Sequence, residues 1–183
     1  MRFPRVHFLI VLALLVAFSA SIGAAQQPPT AESILNAAKA QASADQKNVL
    51  AIFHASWCGW CKQFDKFLDD AANKPTMDKY FVRAYFTVQE REEKVALNTP
   101  GGDALLNSIG GPAGLPFFAF LDAKGALLAN TMRPGKNGKP ENIGHPMQPE
   151  EVDWFMTMLG KAVPRMSADE RGTLEKWLRA QKK

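Results

Sequence analysis

Cysteine is almost absent: the 183-residue chain has two, Cys58 and Cys61. A fold held by disulfide staples is therefore excluded, because staples gain by closing long loops and a bridge between these two closes almost none. There is also no second Cys-x-x-Cys to complete a zinc site. Long apolar runs are missing too. The longest, Val6–Phe18, is broken only by His7 and has 13 residues, against about 20 needed to span a bilayer. No cysteine stands directly after it, where a lipoprotein anchor would need one. Clustered positive charge is absent as well. The formal net charge is +4, and setting aside Arg2 and Arg5 leaves 20 basic against 18 acidic residues. That is no footprint for nucleic acid, which is not an expected partner.

The composition, 46% hydrophobic and 22% charged, belongs to a chain that folds around a core. Residues 1–25 read as a secretory signal peptide: Arg2 and Arg5 supply the positive start, Val6–Phe18 the apolar stretch, and Gly23-Ala24-Ala25 the small residues before cleavage. The mature protein is then expected to be soluble and exported, to the periplasm or beyond. Residues 26–163 are expected to form one domain, with 164–183 as a C-terminal helical extension.

Within the domain the periodicities predict α, β, α, β, α, two hairpin strands, then two helices. Ile34, Leu35, Ala38 and Ala42 give residues 31–43 a helical stripe capped by Thr30. Val49–Phe53 is apolar throughout, as in a strand covered on both faces. A helix opens near Cys58 with Phe64, Phe67, Leu68 and Ala71 on one face and is broken by Asn73–Thr76, leaving a helical turn at Met77–Tyr80. Phe81–Val88 reads as a strand, Ala104–Ile109 as a short helix, and Phe117–Leu121 as a strand joined through Asp122–Gly125 to Ala126–Met132. Residues 133–148 read as a long irregular loop, either a tolerated surface insertion or a functional segment. Pro149 starts a helix with Val152, Phe155, Met156, Leu159 and Val163 buried. Ser167 and Glu170 form a capping box for a final packed helix with Leu174, Trp177 and Leu178 inward and a frayed end from Gln181. The sum is an α/β fold: a mixed sheet of about four strands flanked by helices, with an added C-terminal helix.

The two cysteines lie where strand meets helix. A helix N-terminus favours the thiolate of Cys58 through its dipole and unpaired N–H groups, so its pKa is expected in the range of roughly 3.5–7.5. Cys61, one turn on, is within reach to close a disulfide. A metal site is the other chemistry these residues allow: Cys58 and Cys61 with His54 or His145 could hold copper or zinc. Met147, Met156, Met158 and Met166 read as core filler rather than soft ligands.

Trp57-Cys58-Gly59-Trp60-Cys61-Lys62 after an apolar strand, with Gly114-Leu115-Pro116 before an aromatic one, resembles the thioredoxin family over about residues 30–163. The resemblance implies a thioredoxin-like fold and a protein-disulfide oxidoreductase without cofactor or metal. Cys58 is then the nucleophile and Cys61 the resolving thiol, and Pro116 is cis. Leu115 hydrogen-bonds an extended substrate, Trp57 and Trp60 belong to the docking surface, and the 133–148 loop, if functional, borders the substrate groove. Protein disulfides or dithiols would be the substrates, a membrane disulfide reductase the electron donor, and the protein a monomer. Two positions depart from the family. Ile52 stands where thioredoxins place a buried Asp, leaving Lys62, a loop carboxylate, His54 or water to move the proton of Cys61. Trp60 replaces the Pro of reductants and the His of oxidants. Lacking that His, the motif leans toward the reductase direction.

Overall fold

Two strands of this chain are apolar at nearly every position, and the reason is that each lies in the middle of a sheet covered on both sides. The computed structural model describes residues 27–111, 114–135 and 137–181; the expected signal peptide lies outside them. A four-stranded sheet has the order β2-β1-β3-β4, from β1 (Asn48–His54), β2 (Phe81–Thr87), β3 (Phe117–Leu121) and β4 (Leu127–Asn130). β1 runs parallel to β2 and antiparallel to β3, which pairs antiparallel with β4. Alternation along the strand sorts side chains between two layers. Leu50, Ile52, Phe118 and Phe120 enter one core; Val49, Ala51, Phe53, Phe117, Ala119 and Leu121 enter the other.

The second core is closed by α1 (Ala31–Ala44), capped by the Thr30 hydroxyl, and by α4 (Gly102–Ser108). The first is closed by α2 (Gly59–Asp69), α3 (Lys74–Tyr80), α5 (Pro149–Ala162) and α6 (Ala168–Arg179). Here Phe64 stacks on Phe118 at 4.2 Å, and Phe155 meets Phe67 edge-on at 5.5 Å. The expected capping box of Ser167 and Glu170 is present, and α6 buries Leu174 and Leu178 in this same core. At one sheet edge, Arg83 of β2 is held by Asp69 (2.7 Å), Asp78 (2.8 Å) and the Leu68 carbonyl (2.7 Å), which puts charge where another strand could pair.

Several boundaries differ from expectation. α2 ends at Asp69, not Ala72, because the buried Asn73 donates to the Phe67 carbonyl (3.0 Å) and Asp70 accepts from the Ala72 N–H (2.9 Å). Pro75 does not break a helix but lies in the first turn of α3, where its missing N–H costs nothing. Glu92–Leu97 forms a 3-10 helix in a stretch that had no assignment. Residues 133–148 are not irregular throughout: Met132–Pro134 (β5) and Pro140–Asn142 (β6) form a small antiparallel hairpin clasped by Arg133 and Glu141 (2.9 Å). Its prolines sit where a two-stranded ribbon tolerates the loss of a donor. In α5, Met158 is fully buried and Met156 only in part.

Candidate functional site

The chain leaves the buried β1 through Ala55 and Ser56, and α2 opens at Gly59 with Cys58 as its N-cap. Cys58 and Cys61 are joined by a disulfide, and the Cys61 N–H donates to Cys58 Sγ (3.1 Å). That contact uses one of the unpaired donors at the start of the helix, the same group that would stabilise a Cys58 thiolate. Each cysteine residue is 3% exposed, packed with Ala55 and covered in part by Leu115. Leu115 arrives from the loop before β3, and the Leu115–Pro116 peptide bond is cis. The two sequence signals that lie more than fifty residues apart therefore meet: Cys58, Cys61 and the Leu115–Pro116 pair form one site.

What holds the proline loop was not foreseen. Asn142, the last residue of β6, donates through its Nδ2 to both the Gly114 carbonyl (3.0 Å) and the Pro116 carbonyl (3.1 Å). Its Oδ1 accepts from the Gly144 N–H (3.1 Å), so the amide is fully used. Beside it a groove of about 600 Å³ is lined by Trp60, Leu115, Ile143, His145, Met147 and Glu151 among others. Six residues of the 133–148 segment, from Asn142 to Gln148, line this groove. His145 is buried. Its Nε2 meets Gln181 Oε1 at 2.6 Å, and Trp60 lies over its ring with centroids 6.3 Å apart. Gln181, expected in a frayed end, is thereby tied to the wall of the groove.

On the other flank, Trp57 donates from Nε1 to the Gln89 carbonyl (2.8 Å), and the Arg91 guanidinium lies 4.3 Å from its ring centroid. Behind it the buried carboxylate of Glu90 accepts from the Ser56 N–H and hydroxyl, while its own N–H donates to Asn98 Oδ1 (2.9 Å). Burial alone would raise the Glu90 carboxyl. The two bonds from Ser56, with Lys94 and His54 nearby, reverse this and hold it below the usual carboxylate range. Nothing local in the sequence marks Glu90 or Asn142, since Ser56, Gly114 and Pro116, which their side chains join to the site, lie 26 to 34 residues away.

Ile52 is fully buried, so the carboxylate usual in thioredoxins is replaced by packing. The nearest polar cluster on that face of the sheet is His54, Asp65 and Tyr85. The Tyr85 hydroxyl donates to Asp65 Oδ1 (3.3 Å), and the His54 ring lies edge-on to Tyr85 at 5.5 Å. Burial lowers the pKa of His54 and raises that of Asp65; burial with the Asp65 charge pushes Tyr85 up to about 12. Lys62 is exposed. Among the described residues, no three His, Cys, Asp or Glu side chains gather closely enough to hold a metal ion, so His54 and His145 do not join the cysteine pair in one cluster.

A family model described as thioredoxin-like matches residues 30–123. No curated protein matches the chain. Among solved structures, a disulphide isomerase from Xylella fastidiosa Temecula1 is 17% identical with a TM-score of 0.48, over 84% of this chain and 92% of its own. A DsbH oxidoreductase is 20% identical, TM-score 0.43, over 78% and 88%. The oxidised C-terminal domain of DsbD from Neisseria meningitidis is 21% identical, TM-score 0.43, over 71% and 97%.

Proposed function

The chain belongs to the thioredoxin-like family, and from that premise we propose that it is an exported thiol–disulfide oxidoreductase that reduces protein disulfides. The observation that carries this reading is the meeting of a Cys58–Cys61 disulfide, set at the start of α2, with the Leu115–Pro116 loop beside an open groove. In the reduced protein, the Cys58 thiolate attacks one sulfur of a substrate disulfide. A Cys58–substrate bond forms and the substrate's other sulfur leaves as thiolate. Cys61, deprotonated, then attacks Cys58 Sγ, closing the protein disulfide and releasing the second substrate thiol; two electrons have passed to the substrate. Leu115 packs against the cluster of Ala55, Cys58 and Cys61, and its backbone is the edge along which an extended substrate would pair.

A membrane disulfide reductase supplying electrons, export through residues 1–25, residues 26–163 as the working domain with 164–183 as an extension, and a monomeric state complete the proposal. The described residues contain no helix long and apolar enough to cross a membrane, which fits a protein that acts outside the bilayer. The reductase direction rests on Trp60, an uncharged residue that gives the Cys58 thiolate no added stabilisation.

Insulin reduction with dithiothreitol tests the activity. Cys58→Ser is expected to abolish it, and Cys61→Ser to accumulate mixed disulfides with substrate. Wild-type turnover no faster than the uncatalysed rate overturns the reading. Equilibration with glutathione tests the direction: a potential near about −270 mV supports a reductase and one near about −120 mV an oxidant.

A further inference from the structure

The groove beside the disulfide has an unusual lining for a surface that binds peptide. Trp60 is 55% exposed. Leu115, Ile143 and Met147 supply apolar wall, and Glu151 is the acidic residue of the lining. Among the described residues no lysine or arginine lines it. His145 adds no positive charge at neutral pH, because burial holds it below its ordinary value. Glu151 lies in the first turn of α5, where one oxygen accepts from the N–H groups of Met147 (2.9 Å) and Gln148 (2.8 Å). Its other oxygen takes no hydrogen bond from the described residues. The helix end carries about half a positive charge, which Glu150 and Glu151 together exceed. A negatively charged acceptor thus shares one groove with apolar side chains and an exposed indole.

We propose that this groove is a side-chain subsite for a lysine or arginine placed within two residues of the substrate's disulfide cysteine. The occupant follows from the chemistry of the lining. A long methylene stem suits Leu115, Ile143 and Met147, a cation is attracted to the face of Trp60, and the charged head reaches the free oxygen of Glu151. A carboxylate would meet Glu151 with like charge, and a purely apolar side chain would leave that oxygen unpaired. The location follows from Leu115, which lies against Cys58 and Cys61 and also lines the groove. A backbone paired along Leu115 delivers the side chains next to its cysteine into this space. The proposal rests on the disulfide-exchange reading and narrows its substrates to polypeptides with basic residues beside the reactive cysteine.

Peptide disulfides test it, with lysine, norleucine or glutamate at each of the four flanking positions in turn. A control peptide carries the same lysine six residues away, so that net charge is constant. The lysine peptide is expected to be reduced up to about fivefold more efficiently than the norleucine peptide at one or more positions, the equivalent of a partly shielded ion pair. Glutamate is expected to rank last and the distal lysine to give no gain. Glu151→Gln keeps a side chain that can complete the helix cap; its thermal melt should stay near wild type while the lysine advantage disappears. Equal rates for lysine and norleucine, with exchange still running, overturn the subsite alone. So does a lysine advantage that survives Glu151→Gln. No exchange with any peptide, in wild type as in Cys58→Ser, overturns the oxidoreductase reading and the subsite with it.

Discussion

Trp57 and Trp60 stand three residues apart on either side of Cys58, and the chain treats them in opposite ways. Trp57 is pinned: its indole N–H is bonded to the Gln89 carbonyl and its face is covered by Arg91. The wall behind it holds two non-glycine residues, Gln89 (φ 56°) and Glu92 (φ 53°), in the left-handed region. Such a conformation persists only where surrounding contacts fix it, and between them sits Glu90 with three hydrogen bonds. Trp60, by contrast, is more exposed, and its aromatic neighbour is the ring of His145. One flank is closed by charge and hydrogen bonding, the other left open as an apolar face. On the proposed reading, a site built this way separates two tasks: the closed flank fixes the strand-to-helix turn at Ser56 and Trp57, and the open flank has surface left to give to a substrate.

Breaking the closed flank should have the largest effect. Glu90→Ala strands the Ser56 N–H and hydroxyl and releases the 89–94 wall. A loss of about 2 kcal/mol is expected, since bonds to a charged group contribute about 1.5–3 kcal/mol. Urea unfolding at pH 7 measures it. The sign of its pH dependence follows from the lowered carboxyl. The contribution is complete above pH 4.5, the unfolded value, and fades as pH falls through the folded one. The variant should therefore lose less stability than wild type on acidification. An unchanged midpoint at pH 7 would remove Glu90 from its place as the fastener of this flank.

Asn142→Ala comes next. It frees the carbonyls of Gly114 and Pro116 on the open side, with an expected loss of about 1–2 kcal/mol. Disulfide exchange should fall further than the stability loss explains, because the loop facing the sulfurs is no longer held. Asn142→Asp, which cannot donate, should behave alike; an aspartate with wild-type exchange would show that the clasp is dispensable. The tryptophans then sharpen the contrast. Trp60→Ala is expected to stay within about 0.5 kcal/mol of wild type and to raise KM for peptide disulfides several-fold. Trp57→Ala should do the reverse, costing about 1 kcal/mol or more with a smaller change in KM. If both variants move the same quantity, the two flanks do not divide the work.

The parts of this site readable in advance were those written locally. Five apolar residues at Val49–Phe53, a Cys-x-x-Cys at the start of an amphipathic helix, and a glycine and proline cluster before Phe117–Leu121 each carry their meaning in consecutive positions. The covered central strands, the helix order and the Ser167 cap were legible for the same reason. What could not be read depends on partners far along the chain. Glu90 looked like one charge among several until Ser56 was beside it, and Asn142 looked like a loop residue until two carbonyls converged on it. The β5–β6 hairpin hid because three-residue strands rich in proline show no alternation. Met156 was preferred to Met158 because both fit a helical stripe, and only the angle at which α5 meets Phe118 and Phe120 decides between them.

The smallest expected effect lies beneath Trp60 and asks whether the open flank also has a fixed component. Gln181 donates from its amide nitrogen to the Leu178 (3.3 Å) and Pro146 (3.4 Å) carbonyls, so its Oε1 faces His145 and accepts from the Nε2–H. Nδ1 is then the unprotonated nitrogen, buried and without a partner among the described residues. A second proton would have to enter there, against burial, while the Gln181 bond and the Glu151 charge favour it only in part; the pKa is lowered from 6.5. The unfolded chain therefore binds more protons than the folded one between the folded value and about pH 6.5, and stability falls as pH drops through that window. His54, also lowered by burial, contributes in the same direction, so the two must be separated. Urea midpoints at pH 7.5 and 5.5 are expected to show a smaller acid loss in His145→Gln than in wild type. His54→Gln should show an independent reduction, and the double variant the least loss. Each reduction should be smaller than the loss caused by Glu90→Ala at pH 7. If His145→Gln keeps the full wild-type slope, the ring is not held neutral beneath Trp60, and the open flank rests on apolar contact alone.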